Sequence, residues 1–438
     1  MAQSQRLTLS IDAADWNTIL TAAAAHLEDL ETGVADGIYE ADANAEPIAT
    51  LSAALAAGAQ AAPFLAVSDN SEVFLTGTLG VREDSNIYLS HGAVSDTIWD
   101  VDPGFQFVFG NTSAAKGTLS VVDNIATYSS HSALNSNLLG SAFNVGYEDG
   151  KTKAAFNASY NELNQNTFNV NTGGTRTDAL IRRNVTMLGG SGELSVTEKT
   201  SVSAGATFER TDYRLNSFSD EDQFSIPLNY YYEVTPKLDA SLGYTYRASW
   251  QQLNTDSVDN FYNVGVRGEI TPKLSGHINV GVTDRRFTGK VAHLNGLSSV
   301  SLFGIDSNLT YAVSPKATLQ LSVNNDFDTN AQGDQQKDFS ISGSGSVNLS
   351  EEWTLNATLT WRNIKFANNG TVLGDRTDDF WDAQAGATYK INSIVSITAA
   401  VAYRENDSGR AARETNGAGA SSRSFKGTVW SLAANFRY

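Results

Sequence analysis

The sequence predicts an all-β fold, a transmembrane antiparallel up-and-down β-barrel of about 18 strands, with about 16 strands as the alternative. Three observations predict it. A hairpin unit recurs along the chain, strict apolar and polar alternation persists for about ten residues per strand, and the chain ends on an aromatic strand. About ten residues is the length that a tilted strand needs to cross a bilayer.

The hairpin unit is clearest at its tight turns. Val234-Thr235-Pro236-Lys237, Ile270-Thr271-Pro272-Lys273 and Val313-Ser314-Pro315-Lys316 are near copies, and each places a proline, which lacks a backbone N–H, where strand pairing must stop. Looser versions occupy residues 196–199, 349–352 and 389–392, residues 148–151 carry an Asp-Gly hairpin signal, and residues 111–116 make the earliest turn. Eight short turns join sixteen strands. A first strand at residues 72–88 and a last at residues 425–438 bring the count to about eighteen, an even number as closure usually requires.

Alternation between the turns separates a lipid-facing set from a lumen-facing set. Leu238, Ala240, Leu242, Tyr244 and Tyr246 point one way, whereas residues 239, 241, 243, 245 and 247 point the other way and are polar or small. Residues 353–362, 317–324 and 262–270 follow the same rule. Aromatic side chains cluster near both ends of the apolar faces, as the interfacial girdles of a membrane barrel require. The boundaries are least clear at residues 161–190.

Composition excludes several other classes of protein. Only 18% of the 438 residues are charged, the formal charge is −18, and there is no cysteine. The acidic balance argues against nucleic acid as a partner, because phosphate-backbone binding needs clustered lysine and arginine. No run of about 18 apolar residues lacks polar interruptions, so helical membrane spans are excluded.

The last strand resembles the signal by which outer-membrane barrels are recognised for assembly. Trp430, Leu432, Phe436 and Tyr438 lie on one face of it, and Ala433 stands where that pattern usually has glycine. The expected location is therefore the bacterial outer membrane. Membrane lipid, lipopolysaccharide and the outer-membrane assembly machinery are the expected partners.

Residues 1–61 differ from the rest. Trp16, Ile19, Leu20, Leu27 and Leu30 recur at helical spacing, and Pro47 could open a second helix. Ala59-Gln60-Ala61 resembles a signal-peptide cleavage site after a modest apolar run, but Arg6 is the only basic residue before it. Three interpretations compete: an upstream start ahead of a true signal peptide, a small periplasmic domain, or a plug. The predicted division is residues 1–61 and a barrel over residues 62–438.

Catalytic and metal-binding patterns are weak. His277 and Ser275 share a strand face that alternation assigns to the lumen, and no orienting residue completes a triad. Asp220-Glu221-Asp222 and residues 375–379 are acidic but lack the glycine and terminal glutamate of a calcium loop. We therefore expect no catalytic residue, no metal site and no cofactor.

A set of charges recurs about ten residues after successive short turns, hence at a similar height in the lumen. This predicted lumen charge belt comprises Glu209, Arg247, Arg285, Asp326, Arg362 and Arg404. One interpretation is a mixed-sign ring that filters solutes by its field and hydrogen bonding. The other is that opposite charges on neighbouring strands pair and stabilise the wall. Residues 1–61 hold nine acidic residues and one basic, so the barrel itself also keeps an acidic excess that favours cations.

Several segments resemble the outer-membrane β-barrel porins of the second type. They are residues 64–78, Arg82-Glu83-Asp84-Ser85-Asn86-Ile87-Tyr88, Phe208-Glu209-Arg210-Thr211-Asp212-Tyr213 and Leu242-Gly243-Tyr244-Thr245-Tyr246-Arg247. The likeness covers about residues 62–438 and consists mostly of features common to barrels. Because members of that family are often associated with exopolysaccharide production, the resemblance implies a role in passing or holding polysaccharide.

The sequence is consistent with two functions. The first is a pore for passive diffusion or export of polar solutes, polysaccharide among them, which the width of about eighteen strands favours. The second is an occluded structural or adhesive barrel whose long loops bind surface polysaccharide or a partner protein. The sequence predicts neither the solute nor the oligomeric state.

Overall fold

A computed structural model describes residues 63–165, 181–216, 218–253, 255–288, 299–331, 333, 335–366, 376–408 and 424–438. The predictions for residues 1–61 lie outside these ranges. Within them, no helix is long and apolar enough to cross a membrane. The helical content there is one 3-10 turn at Ser132–Leu134.

Eighteen long strands form one antiparallel sheet in which each strand pairs with its neighbours in chain order. A four-residue strand, β1 (Leu65–Ser68), precedes them. The wall strands are β2 (Ser71–Asp84), β3 (Asp96–Phe109), β4 (Ala115–Tyr128), β5 (Ser136–Glu148), β6 (Thr152–Gln165), β7 (Ile181–Thr197), β8 (Thr200–Tyr213), β9 (Glu221–Thr235), β10 (Leu238–Gln251), β11 (Asp256–Thr271), β12 (Leu274–Thr288), β13 (Ser299–Ser314), β14 (Ala317–Thr329), β15 (Gln335–Asn348), β16 (Trp353–Phe366), β17 (Arg376–Lys390), β18 (Val395–Ser408) and β19 (Phe425–Arg437).

The last strand closes the sheet by pairing with the first wall strand. β19 runs against β2 from Val429↔Asp84 to Arg437↔Thr76, and the backbones of Tyr438 and Leu75 exchange two hydrogen bonds of 2.6 and 2.8 Å. β1 pairs with β2 just beyond this seam, and the Phe64 ring meets the Tyr438 ring edge-on with centroids 6.1 Å apart. Closure removes the unpaired edges that an open sheet would expose. The predicted barrel of about 18 strands is confirmed.

The eight predicted short turns all join neighbouring strands, and they lie at the rim that also holds both ends of the described barrel. The other ends of the strands form the opposite rim. Because outer-membrane barrels keep their short turns on the periplasmic side, we call these rims periplasmic and extracellular. Alternation sets the faces as expected: Leu242, Tyr262 and Val264 are more than half exposed on the outer face, whereas Asp259 and Arg285 are buried on the inner face.

The first wall strand is shorter than predicted. It ends at Asp84 rather than Tyr88, because Asn86 organises a turn over residues 85–95. The Asn86 side-chain amide donates to the carbonyl oxygens of Ser90 and Lys426 at 2.8 and 2.9 Å, and its backbone N–H donates to Asp84 Oδ1. These bonds turn Ile87 inward, where it packs with Ile98, Tyr128 and Leu134.

The role of the last strand in assembly stays a prediction that deletion can test. Trp430, Leu432, Phe436 and Tyr438 all lie on its outer face. We expect Phe436→Ser with removal of Tyr438 to reduce the yield of folded barrel strongly, because both the apolar face and the seam bonds to Leu75 are lost. Heat-modifiable mobility of outer-membrane fractions measures the yield. The inward-facing Ser431→Ala is the control, and equal yields from both variants would contradict the prediction.

Candidate functional site

The inner surface is interrupted where β14 leaves the wall. β13 and β14 pair from the short turn as far as Ile305↔Asn325, and β14 continues to Thr329 paired only with β15. Within the described residues, the backbone of residues 299–304 pairs only with β12. The tip formed by residues 326–329 and 335–338, here called the inner hairpin, therefore separates from β13.

Contacts of the inner hairpin show that it bends into the lumen. Arg247 on β10 donates to Asp326 Oδ2 at 2.7 Å, Thr329 donates to Glu221 on β9 at 2.7 Å, and the Ser219 N–H donates to the Ala331 carbonyl at 2.8 Å. β10 and β14 stand four strands apart in the sheet, which is about 19 Å along the wall at normal strand spacing. No arginine side chain spans that gap, so the hairpin must lie over the inner faces of β9–β12.

Side chains replace the missing strand partner at the edge of the inner hairpin. The Phe327 N–H donates to Asp326 Oδ1 at 2.8 Å, and the Phe327 carbonyl accepts from Arg247 at 3.2 Å. The Thr329 N–H donates to Asp328 Oδ1 at 2.8 Å. Across the gap, Asn325 Nδ2 donates to the Phe303 carbonyl. Buried backbone groups without hydrogen-bond partners are costly. Because side chains bond to these backbone groups, the sequence stabilises the separation of β14 from β13.

Asp259 is the centre of the ion pairs that hold the hairpin. It accepts from Arg247 at 2.7 Å and from both Nε and Nη2 of Arg285, at 2.6 and 2.7 Å. Arg285 is about 2% exposed, its guanidinium lies 4.7 Å from the Phe327 ring centroid, and it also donates to Gln335. Arg362 pairs with Asp338 and lies 3.9 Å from Asp328. Burial of an arginine is tolerated here because its donors meet a carboxylate in fork geometry.

The predicted lumen charge belt is divided by this arrangement. Arg247, Arg285, Asp326 and Arg362 join the one network around the inner hairpin. Glu209 lies on the inner face of β8, two strands from Arg247, and Arg404 pairs with Asp382 on β17 at 3.0 Å. Sequence reasoning missed Asp259, Asp328, Asp338 and Gln335. Asp259 lies directly opposite Arg247 in the β10–β11 pairing. The sequence did not predict this pair because the register of the two strands is set by the connection between them.

A second set of inner-face charges lies nearer the periplasmic rim. Arg267 donates to Glu193 at 2.6 and 2.7 Å and to Asp239 at 3.1 Å, and its guanidinium lies 3.3 Å from the Tyr231 ring centroid. His277 Nε2 lies 3.3 Å from Asp306 Oδ1. His277 therefore faces the lumen beside a carboxylate, which is the lining position that alternation predicts.

The wall opposite the inner hairpin is rich in aspartate. β2 stands nine strands from β11 in the closed ring, and Asp84, Asp100 and Asp102 lie on the inner faces of β2 and β3 beside Arg82. Asp378 and Asp382 follow on β17 with Arg404. This acidic wall is defined as Asp84, Asp100, Asp102, Asp378 and Asp382. On the described parts of β2 and β3, three of its carboxylates share one inner-face arginine, Arg82.

The acidic segment at residues 220–222 does not converge on one point. Asp220 accepts from the Tyr213 N–H, Glu221 accepts from Thr329, and Asp222 lies 3.8 Å from Arg210 on the outer face. Three carboxylates with three different partners do not form a cation cage. For residues 375–379, the structure describes the side chains from Thr377, and Asp378 accepts from Ser408 at 2.6 Å.

Comparison with protein families identifies the chain. The family model described as "Putative beta-barrel porin 2" matches residues 77–418. The chain belongs to this porin family. The porin therefore resides in the bacterial outer membrane, and its family are transport channels rather than enzymes. No curated protein matches its sequence significantly.

A search of solved structures finds outer-membrane proteins that are similar to the porin at low sequence identity. Pseudomonas aeruginosa OpdL is 12% identical with a TM-score of 0.42 over 84% of this chain and 98% of its own. P. aeruginosa OccK2 (OpdF), solved in complex with glucuronate, is 10% identical with a TM-score of 0.45 over 86% and 99%. The FrpB iron transporter from Neisseria meningitidis is 9% identical with a TM-score of 0.45 over 85% and 83%. Likeness at this level does not bear on what this porin transports.

Proposed function

We propose that the porin is a passive diffusion pore for small polar solutes with a mild preference for cations. One observation carries the proposal: a polar inner surface is narrowed by the inner hairpin, whose three aspartates lie beside arginines, opposite an acidic wall. Paired charges stay in place without repelling either sign of ion, whereas excess carboxylates raise the local concentration of cations. The closed ring of eighteen strands is wide enough to hold water beside the hairpin.

Solute size tests the pore directly. Liposomes that contain the porin should swell in isotonic monosaccharide and disaccharide, and the rate should fall steeply for longer oligosaccharides, because the inner hairpin reduces the open cross-section. Liposomes that contain heat-unfolded protein are the control. Equal rates for short and long sugars would contradict a narrowed pore, and no swelling in any sugar would contradict a pore.

Ion preference tests the role of the charges, including the proposal that the lumen charge belt acts as a filter. Asp102→Asn should move the reversal potential in a KCl gradient towards zero, because it removes one carboxylate of the acidic wall. Arg247→Ala and Arg362→Ala should move it the other way, since each removes a positive charge that lies beside lumen carboxylates. Asp284→Asn, on the outer face, should change nothing. Unchanged conductance and ion preference in the lumen variants would rule out the filter.

The second candidate is an occluded barrel whose loops bind polysaccharide or a partner. Packing at the extracellular rim favours it, because Ile87, Ile98, Tyr128 and Leu134 form a buried cluster there and Phe218 packs on Ala331. Such a barrel would show a folded, heat-modifiable band and yet give neither swelling nor conductance. Retention of the folded porin on immobilised polysaccharide, with no retention of unrelated barrels, would then support the adhesive role.

A further inference from the structure

We propose that the inner hairpin is a gate whose second position lies in the wall, where β14 pairs with residues 299–304 of β13. The inference rests on the proposed pore and names how that pore is regulated. In the inward position the hairpin narrows the lumen. In the wall position it closes the gap between β13 and β14 and widens the lumen.

The backbone groups on both sides of the gap are complementary. Continuing the register Ile305↔Asn325 places Phe303 opposite Phe327 and Ser301 opposite Thr329. Residues at alternate positions of an antiparallel pair exchange both N–H···O bonds. The Phe303 carbonyl and the Phe327 N–H, which would bond to each other, are now satisfied by the side chains of Asn325 and Asp326. The side-chain hydrogen bonds of the inward position can therefore be replaced by backbone hydrogen bonds of the wall position, with little change in the number of bonds.

The side-chain pattern of the hairpin also fits the wall. On β14, Leu319 and Leu321 face lipid, and the same parity would place Phe327 towards lipid beside Phe303, which is 58% exposed on the outer face. Asp326 and Asp328 have the opposite parity and would remain in the lumen. The inward position alone does not require this alternation of polar and apolar side chains, whereas the wall position does.

Ion pairs give the inward position its stability. Arg247 binds Asp326 and the Phe327 carbonyl, and Arg285 contacts Phe327, the Asp328 carbonyl and Gln335. Both arginines keep Asp259 as a counterion if the hairpin leaves, because Asp259 lies on the neighbouring strand β11. Departure of the hairpin therefore leaves neither Arg247 nor Arg285 without a carboxylate, and an unpaired buried charge would otherwise be costly. When the hairpin leaves the inward position, its hydrogen bonds to β9–β12 and the Arg247–Asp326 ion pair are lost, and backbone pairing between β13 and β14 is gained.

Two pairs of cysteines can lock the two positions, and the chain contains no cysteine of its own. Ser219→Cys with Ala331→Cys joins residues whose backbones are hydrogen-bonded in the inward position. Ser301→Cys with Thr329→Cys joins residues that would face each other in the wall, where the Cα atoms of a hydrogen-bonded pair lie about 5.5 Å apart, within disulfide range. All four substitutions are close in size to the native residue.

The two disulfides should have opposite effects on the conductance in planar bilayers. The oxidised Ser219–Ala331 cysteine pair should hold the pore at its lower conductance level, and the oxidised Ser301–Thr329 cysteine pair should hold it at a level about twofold higher or more, since conductance depends on the narrowest section. Reduction should restore switching between levels in both. The single variants Ser219→Cys, Ala331→Cys and Ser301→Cys are controls and should behave as the native porin. Thr329→Cys loses the hydrogen bond to Glu221, so it serves as the reference for the reduced Ser301–Thr329 double variant.

Two results would overturn the gate and leave the pore intact. One is formation of the Ser219–Ala331 bridge without any Ser301–Thr329 bridge, measured by thiol counting on the folded porin. The other is complete bridging in both with the same conductance. If neither the native porin nor any variant conducts, the pore itself fails, and the gate fails with it.

Discussion

Cutting back the inner hairpin should raise the single-channel conductance of the porin by about twofold or more, because current through a water-filled pore is limited at its narrowest level. The variant replaces residues 327–337 by Asn-Gly between Asp326 and Asp338, which are directly paired. Asn-Gly favours a tight two-residue hairpin turn. Asp326 and Asp338 remain as partners of Arg247 and Arg362, so both arginines keep a carboxylate when Asp328 is removed with the inserted tip.

The matched control shortens a turn at the opposite rim. Replacing residues 349–352 between β15 and β16 by Asn-Gly introduces the same two-residue turn at the periplasmic rim without touching the lumen constriction. Its conductance should equal that of the native porin. Equal conductance from the hairpin variant and this control would show that the inner hairpin does not narrow the path of ions.

Removing the carboxylate of Asp259 should destabilise the barrel by about 3–5 kcal/mol, the usual cost of leaving a buried charge without its partner. Asp259→Ala would deprive Arg285, which is almost fully buried, of two short hydrogen bonds, and Arg247 of two more. Urea unfolding of the porin in lipid vesicles, followed by tryptophan fluorescence, measures the change in the free energy of unfolding.

Asp284 supplies the control for this comparison. It lies on the outer face of the next strand, 3.4 Å from Arg286, and both side chains are substantially exposed. Exposed pairs of this kind contribute about 0–1 kcal/mol, so Asp284→Ala should change stability little. The double variant Asp259→Leu, Arg285→Met should recover much of the lost stability, since it removes both buried charges. Equal losses from Asp259→Ala and Asp284→Ala would contradict the assigned role of Asp259.

Much of the fold could be predicted because turn chemistry and alternation are local. Pro236, Pro272 and Pro315 mark turns by lacking an N–H, and the period of two assigns each strand residue to one face of the wall. The number of strands follows from those turns. The end of β2 was missed because Ile87 and Tyr88 continue the alternation, whereas the hydrogen bonds of Asn86 turn the chain at residue 85.

The site was harder to predict because its decisive feature is not local. Residues 326–329 alternate between polar and other side chains as a wall strand does. Their distance from the short turn predicted that Asp326 lies at the same height as Arg247 and Arg362. It did not predict that the hairpin bends into the lumen and contacts Arg247. Asp259 lies beside Arg247 only through the register of β10 and β11, and the connection between these strands, residues 252–255, lacks the proline-lysine pattern that marks the turns at the opposite rim. Contacts between strands four apart cannot be deduced from one sequence.

Planar-bilayer recording of the native porin shows whether the barrel is a cation-preferring pore. In a tenfold KCl gradient, we expect discrete conductance steps and a reversal potential of the sign for cation preference. A preparation that is folded and heat-modifiable on a gel yet gives no steps would contradict a pore. Discrete steps with a preference for anions would contradict the role assigned to the acidic wall.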